Sequence, residues 1–343
     1  MNLSAIALAC IAAYSANISE GYGVTNPSNQ FAVTGPMETR LRDAMLDSVE
    51  FLKLIYVADV DQIKGQVVNV GNYDIATGRK SGGRFTTTQG VDGNTYELRE
   101  TDSCAAVPWA TLATWANAGS QGEFMRRMSQ NATKRFALDI LRVGFNGTSF
   151  AADTDPVANP LGQDVNIGWH KIVKDRSPEQ IVTDAIYFNP DLPTDTVPKA
   201  GEYRTLDAIV MELKALLHPS VRDDPRLRVM IGSDLVAAAQ SRLMNQANKP
   251  SEQIAAQMLE KTIGGVPAVI PPFFPGKRIV LTIPTNLHCY TQKGTRSRKS
   301  ENIEDRKQYE DKYWRYEGYA VEYDEAYAAV DEANLTIGAA PAA

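Results

Sequence analysis

The stretch from Ser120 to Gly147, SQGEFMRRMSQNATKRFALDILRVGFNG, constrains this chain more than any other. Phe124, Met128, Ala132, Phe136 and Ile140 recur at every fourth residue, and Met125, Ala137, Leu138 and Leu141 widen the stripe into a core-facing helix surface. Arg126, Arg127, Lys134, Arg135 and Arg142 lie mostly off that stripe. Ser120 with Glu123 three places on is a capping-box pattern, in which hydroxyl and carboxylate satisfy the open N–H groups of the helix start. At the far end Gly144 and Gly147 can take the positive φ that closes a helix. With its body at 120–143, at ~1.5 Å per residue, the helix spans on the order of 35–40 Å. Alone, it would suit the core of any mixed domain, so its surroundings must narrow the choice.

Those surroundings are globular in composition: 343 residues, 43% hydrophobic and 22% charged, enough for one large or two medium domains. The net charge of −6 argues against a dedicated nucleic-acid reader, but not against a protein that surrounds nucleic acid without gripping it. Cys10, Cys104 and Cys289 are odd in number and far apart, which fits reduced thiols and not a disulfide framework. No apolar run approaches the ~20 residues that span a bilayer, so no membrane partner is expected. Ala5 to Ala13 is apolar, but the MNLS before it lacks the basic residues of a signal peptide. A short helix or a removable N-terminal segment is the expectation there.

Residues 1–35 read as an arm whose second half, Gly21 to Gly35, is a loop of Gly, Asn, Ser, Thr and Pro. Pro36 opens a helix with Leu41, Met45, Val49 and Leu52 on one face, followed by extended segments at Tyr56–Val60 and Gln66–Val70. Residues 71–103 are polar and glycine-rich between extended flanks. They predict a long protruding hairpin with Gly82-Gly83 at its tip and Asp92-Gly93 as a second turn. A hairpin of that length cannot bury both faces on its own body, and it implies a function or a partner. Ala105 to Trp115 reads as a returning strand, and residues 148–203 as irregular apart from a strand at Ile181–Phe188. From Thr205 an α/β region follows. Helices are expected at Leu206–His218, Asp234–Asn245 and Ser251–Ile263, and strands at Leu227–Ile231, Val266–Ile270, Arg278–Ile283 and Leu287–Tyr290. Lys293 to Lys299 reads as a basic loop, Tyr313 to Asp331 as a strand pair, and GAAPAA as a frayed tail.

Motifs for chemistry are scarce. GRKSGG (Gly78 to Gly83) is no phosphate cradle, because it lies in the hairpin and not between strand and helix. No G-x-S-x-G elbow occurs. His170, His218 and His288 form no metal-ligand spacing, and the neighbours His288 and Cys289 point to opposite faces of a strand. Asp223-Asp224 and the Asp59/Asp61 pair suit caps and solvated faces better than acid–base work. The run Lys293, Arg296, Arg298, Lys299 could touch phosphate but reads more simply as a solvated loop. The tyrosines around Tyr313 to Tyr327 fit a half-buried sheet. A flexible arm, a hairpin, a long helix and an α/β region together describe a protein built to touch copies of itself.

The order of these parts resembles the major capsid protein of tailed double-stranded-DNA bacteriophages, in the P-two-like branch of temperate, contractile-tailed phages. The resemblance is carried by FAVTGP (Phe31 to Pro36), FALDILRVGFNG (Phe136 to Gly147), NPLGQDVNIGW (Asn159 to Trp169), YRTLDAIVMELKALL (Tyr203 to Leu217), DDPRLRVMIGSDLV (Asp223 to Val236) and YEGYAVEYDEAYAAV (Tyr316 to Val330). It implies an α+β HK-97-type capsid fold. The parts would be an N-terminal arm (1–65, with 1–30 removable), an extended hairpin loop (66–106), a peripheral domain with the spine helix (107–175), a mainly axial domain (176–290), and returning strands with a tail (291–343). It also implies a non-enzymatic role without cofactor or metal: self-assembly as hexamers and pentamers into an icosahedral shell around double-stranded DNA. Implied partners are a scaffold with its protease, a portal, the packaged DNA and, in some cases, a decoration protein. Assembly would take place in the host bacterial cytoplasm. Arg79, Lys80, Arg84 and Phe85 of the hairpin, with Arg40 and Arg42 of the arm, are the candidate inter-subunit residues. Arg126, Arg127, Lys134 and Arg135 are the candidate residues facing lumen and DNA. Some relatives cross-link through a hairpin lysine; Lys80 is present, but the motif for that chemistry is not, and none is expected. The competing expectations are a soluble α/β enzyme using residues 205–290 and a monomeric binding module with a flexible loop, both of which would stay small in solution.

Overall fold

The computed structural model describes residues 3–67, 77–85, 94–193, 195–246 and 262–341. The expected second turn at Asp92-Gly93, most of the helix expected at Ser251–Ile263, and the parts of the hairpin at 68–76 and 86–93 lie outside the described residues. The helices are α1 (Ala5–Tyr22), α2 (Gly35–Ser48), α3 (Trp109–Asn117), α4 (Gln121–Asn146), α5 (Trp169–Arg176), α6 (Leu206–Leu216) and α7 (Ser233–Gln246). The strands, in chain order, are β1 (Phe31–Ala32), β2 (Tyr56–Val60), β3 (Lys64–Gln66), β4 (Thr95–Glu97), β5 (Arg99–Pro108), β6 (Ile181–Val182), β7 (Ile186–Phe188), β8 (Glu202–Tyr203) and β9 (Arg228–Ile231). They continue with β10 (Thr262–Ile263), β11 (Val266–Val269), β12 (Ile279–Thr282), β13 (Leu287–Gln292), β14 (Ser297–Ile303), β15 (Gln308–Val321), β16 (Tyr327–Val330) and β17 (Leu335–Ile337).

The expected spine is α4. Phe124, Met128, Ala132, Phe136 and Ile140 are all buried along it, and the Ser120 hydroxyl accepts the Glu123 N–H at 3.3 Å. Its two halves serve different cores. Phe124 and Met128 pack with Ile11 and Tyr14 of α1, Leu112 of α3 and Tyr309 of β15. From Ala132 to Phe145 the helix packs on α2, α5 and the first sheet. That sheet is organised around β15, which pairs with β14 and then β13 along one edge and with β5 along the other; β1 extends β14 and β2 extends β13. A second six-stranded sheet, ordered β10-β11-β9-β12-β16-β6, carries α6 and α7.

The second sheet is buried on both faces. Met230, Val280 and Ala329 join the spine core, while their neighbours Val229, Ile231, Ile279, Leu281, Ala328 and Val330 join the α6/α7 core. Because side chains alternate along a strand, an unbroken apolar run is what a two-sided burial requires. The expected hairpin stands on a two-stranded base, in which β3 and β4 pair antiparallel from Lys64↔Glu97 to Gln66↔Thr95. Its tip turns at Gly82, with φ +86°.

Several expectations give way. The segment expected as a strand through Trp115 leaves the sheet at Pro108 and becomes α3, because Trp109, Leu112 and Ala116 have helical spacing and the latter two are buried. Lys293 to Lys299 is not a solvated loop: Arg296 and Arg298 are 3% and 8% exposed, and β14 begins at Ser297. The region read as irregular contains α5. The helix from Pro36 stops at Ser48, where Val49 turns extended and a short 3-10 turn buries Phe51 and Leu52. The tail is docked through Ala340, whose N–H donates to Glu202 at 3.2 Å and whose carbonyl accepts from Lys199 at 3.1 Å.

Candidate assembly surfaces

The two motifs that most specify the resemblance meet in space. Gly144 lies inside α4, and a Cβ there would come within 2.4 Å of the Trp169 ring. Gly147 ends the helix at φ −61°, not at the positive φ expected. A Cβ on it would meet the Asn166 carbonyl at 2.1 Å, and the Gly168 N–H donates to the Gly147 carbonyl at 3.1 Å. The glycines therefore serve close approach, letting the 159–169 loop lie on the helix end. Trp169 Nε1 donates to the His288 carbonyl on β13 at 2.8 Å, Asn166 Nδ2 to the Glu317 carbonyl on β15 at 3.0 Å, and Asn146 Nδ2 to the Phe273 carbonyl at 2.9 Å. Phe145 packs edge-on to Trp169 and Phe274 at 5.1 Å each. The junction thus locks spine, first sheet and second sheet into one frame.

A chain of buried charges runs along β14 and β15. Arg296 bonds Asp59 and lies 3.3 Å from Glu38, and Arg42 Nη1 donates to Asp59 at 2.9 Å. Asp311 is buried beneath α1, where it accepts from the Tyr14 hydroxyl at 3.1 Å and from Ser300, and sits 3.8 Å from Arg298. Burial pushes the Asp311 carboxyl up, while Arg298 and the two hydroxyls pull it back. Arg298 also donates to the Tyr22 hydroxyl at 2.5 Å. Arg315 pairs with Glu317 at 2.5 Å and donates to Ser103 at 2.9 Å. Paired charges of this kind do not advertise themselves as buried in a sequence; the only signal was their alternation through a β-rich region.

The candidate contact residues fall into two groups. Arg79, Lys80 and Arg84 are exposed at the hairpin tip, where the Phe85 ring lies against Gly78. Arg40 is exposed on α2, whereas Arg42 is engaged with Asp59 inside the chain. The four basic residues of the spine do not form one stripe, since Arg126 and Arg135, nine residues apart, lie about 180° from each other around a helix. Arg127 holds Glu123 at 2.6 Å, and Arg135 donates to the Ala106 carbonyl at 3.3 Å. Arg126 and Lys134 present exposed side chains.

One cluster was not anticipated. His170, Asp331 and Glu332 bring ligand atoms within 4.8 Å of one another. Asp331 already bonds Lys174, and Glu332 is held by both arms of Arg278 at 2.6 and 2.7 Å. A divalent ion would have to displace both cations, so the group reads as a tie between α5 and the end of β16. His218 hydrogen-bonds Ser220, and His288 the Tyr290 hydroxyl at 2.6 Å. The cysteines are free thiols, with Cys10 and Cys289 buried; burial pushes the Cys289 thiol well up, leaving it inert.

A solved structure described as the satellite phage P4 procapsid including size determination (Sid) protein superposes on this chain with a TM-score of 0.74. It does so at 25% identity, over 96% of this chain and 98% of that one. The fold is therefore the α+β, HK-97-type fold of phage shell subunits. The profile of the phage major capsid protein, P2 family, matches residues 10–333. The capsid protein of Escherichia phage P2 is 30% identical over 291 residues, 81% of this chain and 80% of its own length. The major capsid protein of Serratia phage KSP20 is 28% identical over 277 residues, 77% of this chain and 78% of its own. The chain belongs to the P2 family of phage major capsid proteins. It is a structural component of a virion shell and associates with copies of itself, which sets aside the enzyme built on residues 205–290 and the monomeric module.

Proposed function

We propose that the chain closes into an icosahedral shell of hexamers and pentamers around double-stranded DNA, on a scaffold with its protease and with a portal at one vertex, in the cytoplasm of a host bacterium. In this reading residues 1–65 are the arm, 66–106 the hairpin, 107–175 the peripheral part with the spine, 176–290 mainly the axial part, and 291–343 the returning strands and tail. The observation that carries it is the contrast between interior and surface. Arg42, Arg296, Arg298 and Arg315 of the body are paired inside the chain, while Arg79, Lys80 and Arg84 stand exposed at the hairpin tip. The hairpin residues, with Phe85 and Arg40, contact neighbouring copies. Many weak contacts repeated in a closed lattice then hold the shell by avidity. Arg126 and Lys134 face the packaged DNA, with Arg127 and Arg135 beside them. Residues 1–30 are released as a segment, cut in the polar loop between Gly21 and Phe31, and the outer surface is open to a decoration protein.

Negative-stain microscopy and sedimentation of the chain, expressed with and without a scaffold, test the reading. Closed shells, tubes or rings are expected, and a stable monomer under both conditions would overturn it. Particles of Arg126→Glu/Lys134→Glu that package and retain DNA normally would refute the lumenal assignment.

A further inference from the structure

Helix α1 is apolar on both sides, although the chain buries only one of them. Ala7, Cys10, Ile11, Tyr14 and Ile18 face inward, onto Leu112 of α3, Phe124 and Met128 of α4 and Tyr309 of β15. At about 100° per residue, the opposite side carries Ala5, Ala9, Ala12 and Ala16, with Ile6 and Leu8 on its two flanks. All six are exposed, Ile6 at 58% and Leu8 at 51%. No formal side-chain charge occurs in α1 before Glu20. The outward side of a surface helix is ordinarily polar, as Arg126 and Lys134 make it on α4. A helix that is apolar all round is one that is covered all round, so the second face of α1 calls for a partner.

The pattern of that face fits a copy of itself. Ala5, Ala9, Ala12 and Ala16 are spaced 4, 3 and 4 residues apart, the spacing of a coiled-coil seam. Methyl-sized seam residues let two helix axes approach to the short end of the usual range of about 8–10 Å. A pair of like helices about a two-fold axis sets each seam against itself, so a charge near the axis would oppose its own copy; this seam carries none. Antiparallel alignment centred between Ala9 and Ala12 sets Ala9 against the partner's Ala12 and Ala5 against the partner's Ala16. It also brings Glu20 beside the start of the partner helix. The first turn there has no acidic residue of its own, and its open N–H groups are the positive end of the helix dipole. The chain associates with copies of itself, so like helices are brought to high local concentration.

We propose that the outward face of α1 pairs antiparallel with the same face of α1 in a second copy of the chain, about a local two-fold axis. Contact between two single helix faces falls well short of the ~1,200 Å² that a stable free interface buries. The pair therefore forms where the lattice already holds the two copies, and not between dilute subunits. The proposal rests on the shell reading above, in which residues 1–30 are released by a cut. The helix pair fastens uncut copies and is lost with that segment.

The test uses particles assembled on a scaffold with its protease inactivated, so that α1 stays attached. Ala9→Cys/Ala12→Cys, in a Cys104→Ser background, is oxidised in such particles and run on a non-reducing gel. Covalent dimers and nothing larger are expected, because a two-fold contact closes on itself. Free thiols, an intrachain disulfide or a ladder of higher oligomers would overturn the proposal while wild-type shells left the shell reading intact. Failure of the wild-type chain to assemble would instead remove the shell reading itself and the proposal with it. Charge gives a second readout. Ala9→Glu/Ala12→Glu sets like charges against each other across the pair and is expected to lower particle yield by ~10-fold, with the subunit's melting temperature unchanged. Ala9→Glu/Ala12→Lys sets opposite charges against each other and is expected to keep the wild-type yield. Undiminished yield from the first variant, or an equal loss from both, would count against the proposal.

Discussion

Gly144 shows how one residue can be favourable in sequence terms and forbidden in space. In a helix interior, alanine is better than glycine by ~1 kcal/mol. At Gly144 the added methyl would meet the buried Trp169 ring at 2.4 Å, and overpacking of that kind costs about 1–3 kcal/mol. Gly144→Ala is therefore expected to lower the melting temperature. Gly122→Ala, in the first turn of α4 with its nearest neighbour atom 4.0 Å away, is expected to raise it slightly. A thermal melt of the two variants checks the opposite signs. Asp331 makes a second residue-scale case. The His170 ring and the Lys174 ammonium hold its carboxyl well below the ordinary carboxylate range. The folded state therefore binds fewer protons there than the unfolded chain. The stabilisation is complete above the unfolded value of ~3.9 and fades as pH falls below it. Asp331→Asn is expected to destabilise at neutral pH, with its difference from wild type shrinking in melts below about pH 4. His170 is held neutral by burial and by Arg278, so its contribution fades as pH falls below ~6.5. His170→Gln is expected to flatten the stability curve between neutrality and the acid limb.

At the scale of elements, helices with regular spacing were legible, and polar strands were not. The four-residue repeat of α4 gave its buried face and its serine cap directly. The start of β14 looked like a basic loop because Arg296 and Arg298 are neutralised by Glu38 and Asp59 of the arm region and by Asp311 of the next strand, partners between 13 and 258 residues away in sequence. The α1 helix belongs to the same story. Its apolar residues cover Tyr309 and the start of the spine, and Tyr14 caps the buried Asp311. Tyr14→Phe removes a hydrogen bond to a charged group, worth about 1.5–3 kcal/mol. It is expected to loosen α1 and speed proteolytic cutting in the loop 23–30, followed by mass spectrometry of the released fragment; an unchanged cutting rate would show that apolar packing alone retains the helix.

At the scale of the molecule the second sheet matters most, because it is the common wall of two cores. Met230, Val280 and Ala329 serve one side and Val229, Leu281 and Ala328 the other, while Arg278 ties Glu332 to the Phe145 carbonyl at the end of the spine. The two cores on either side of this sheet are therefore expected to unfold together, with near-ultraviolet and far-ultraviolet circular dichroism transitions coinciding. Arg278→Met is expected to lower both midpoints together; separated transitions would mean that the wall is not shared energetically. The sequence by itself determined the spine helix, most of the apolar strands and the kinship with phage shells, because these are written in short-range periodicity and local motifs. Only the tertiary structure decided which charges are buried, why the junction glycines are needed, how the arm helix and tail dock, and which face of the arm helix stays uncovered. Each of those depends on atoms brought together from segments far apart in the chain, a coincidence of position that no local pattern encodes.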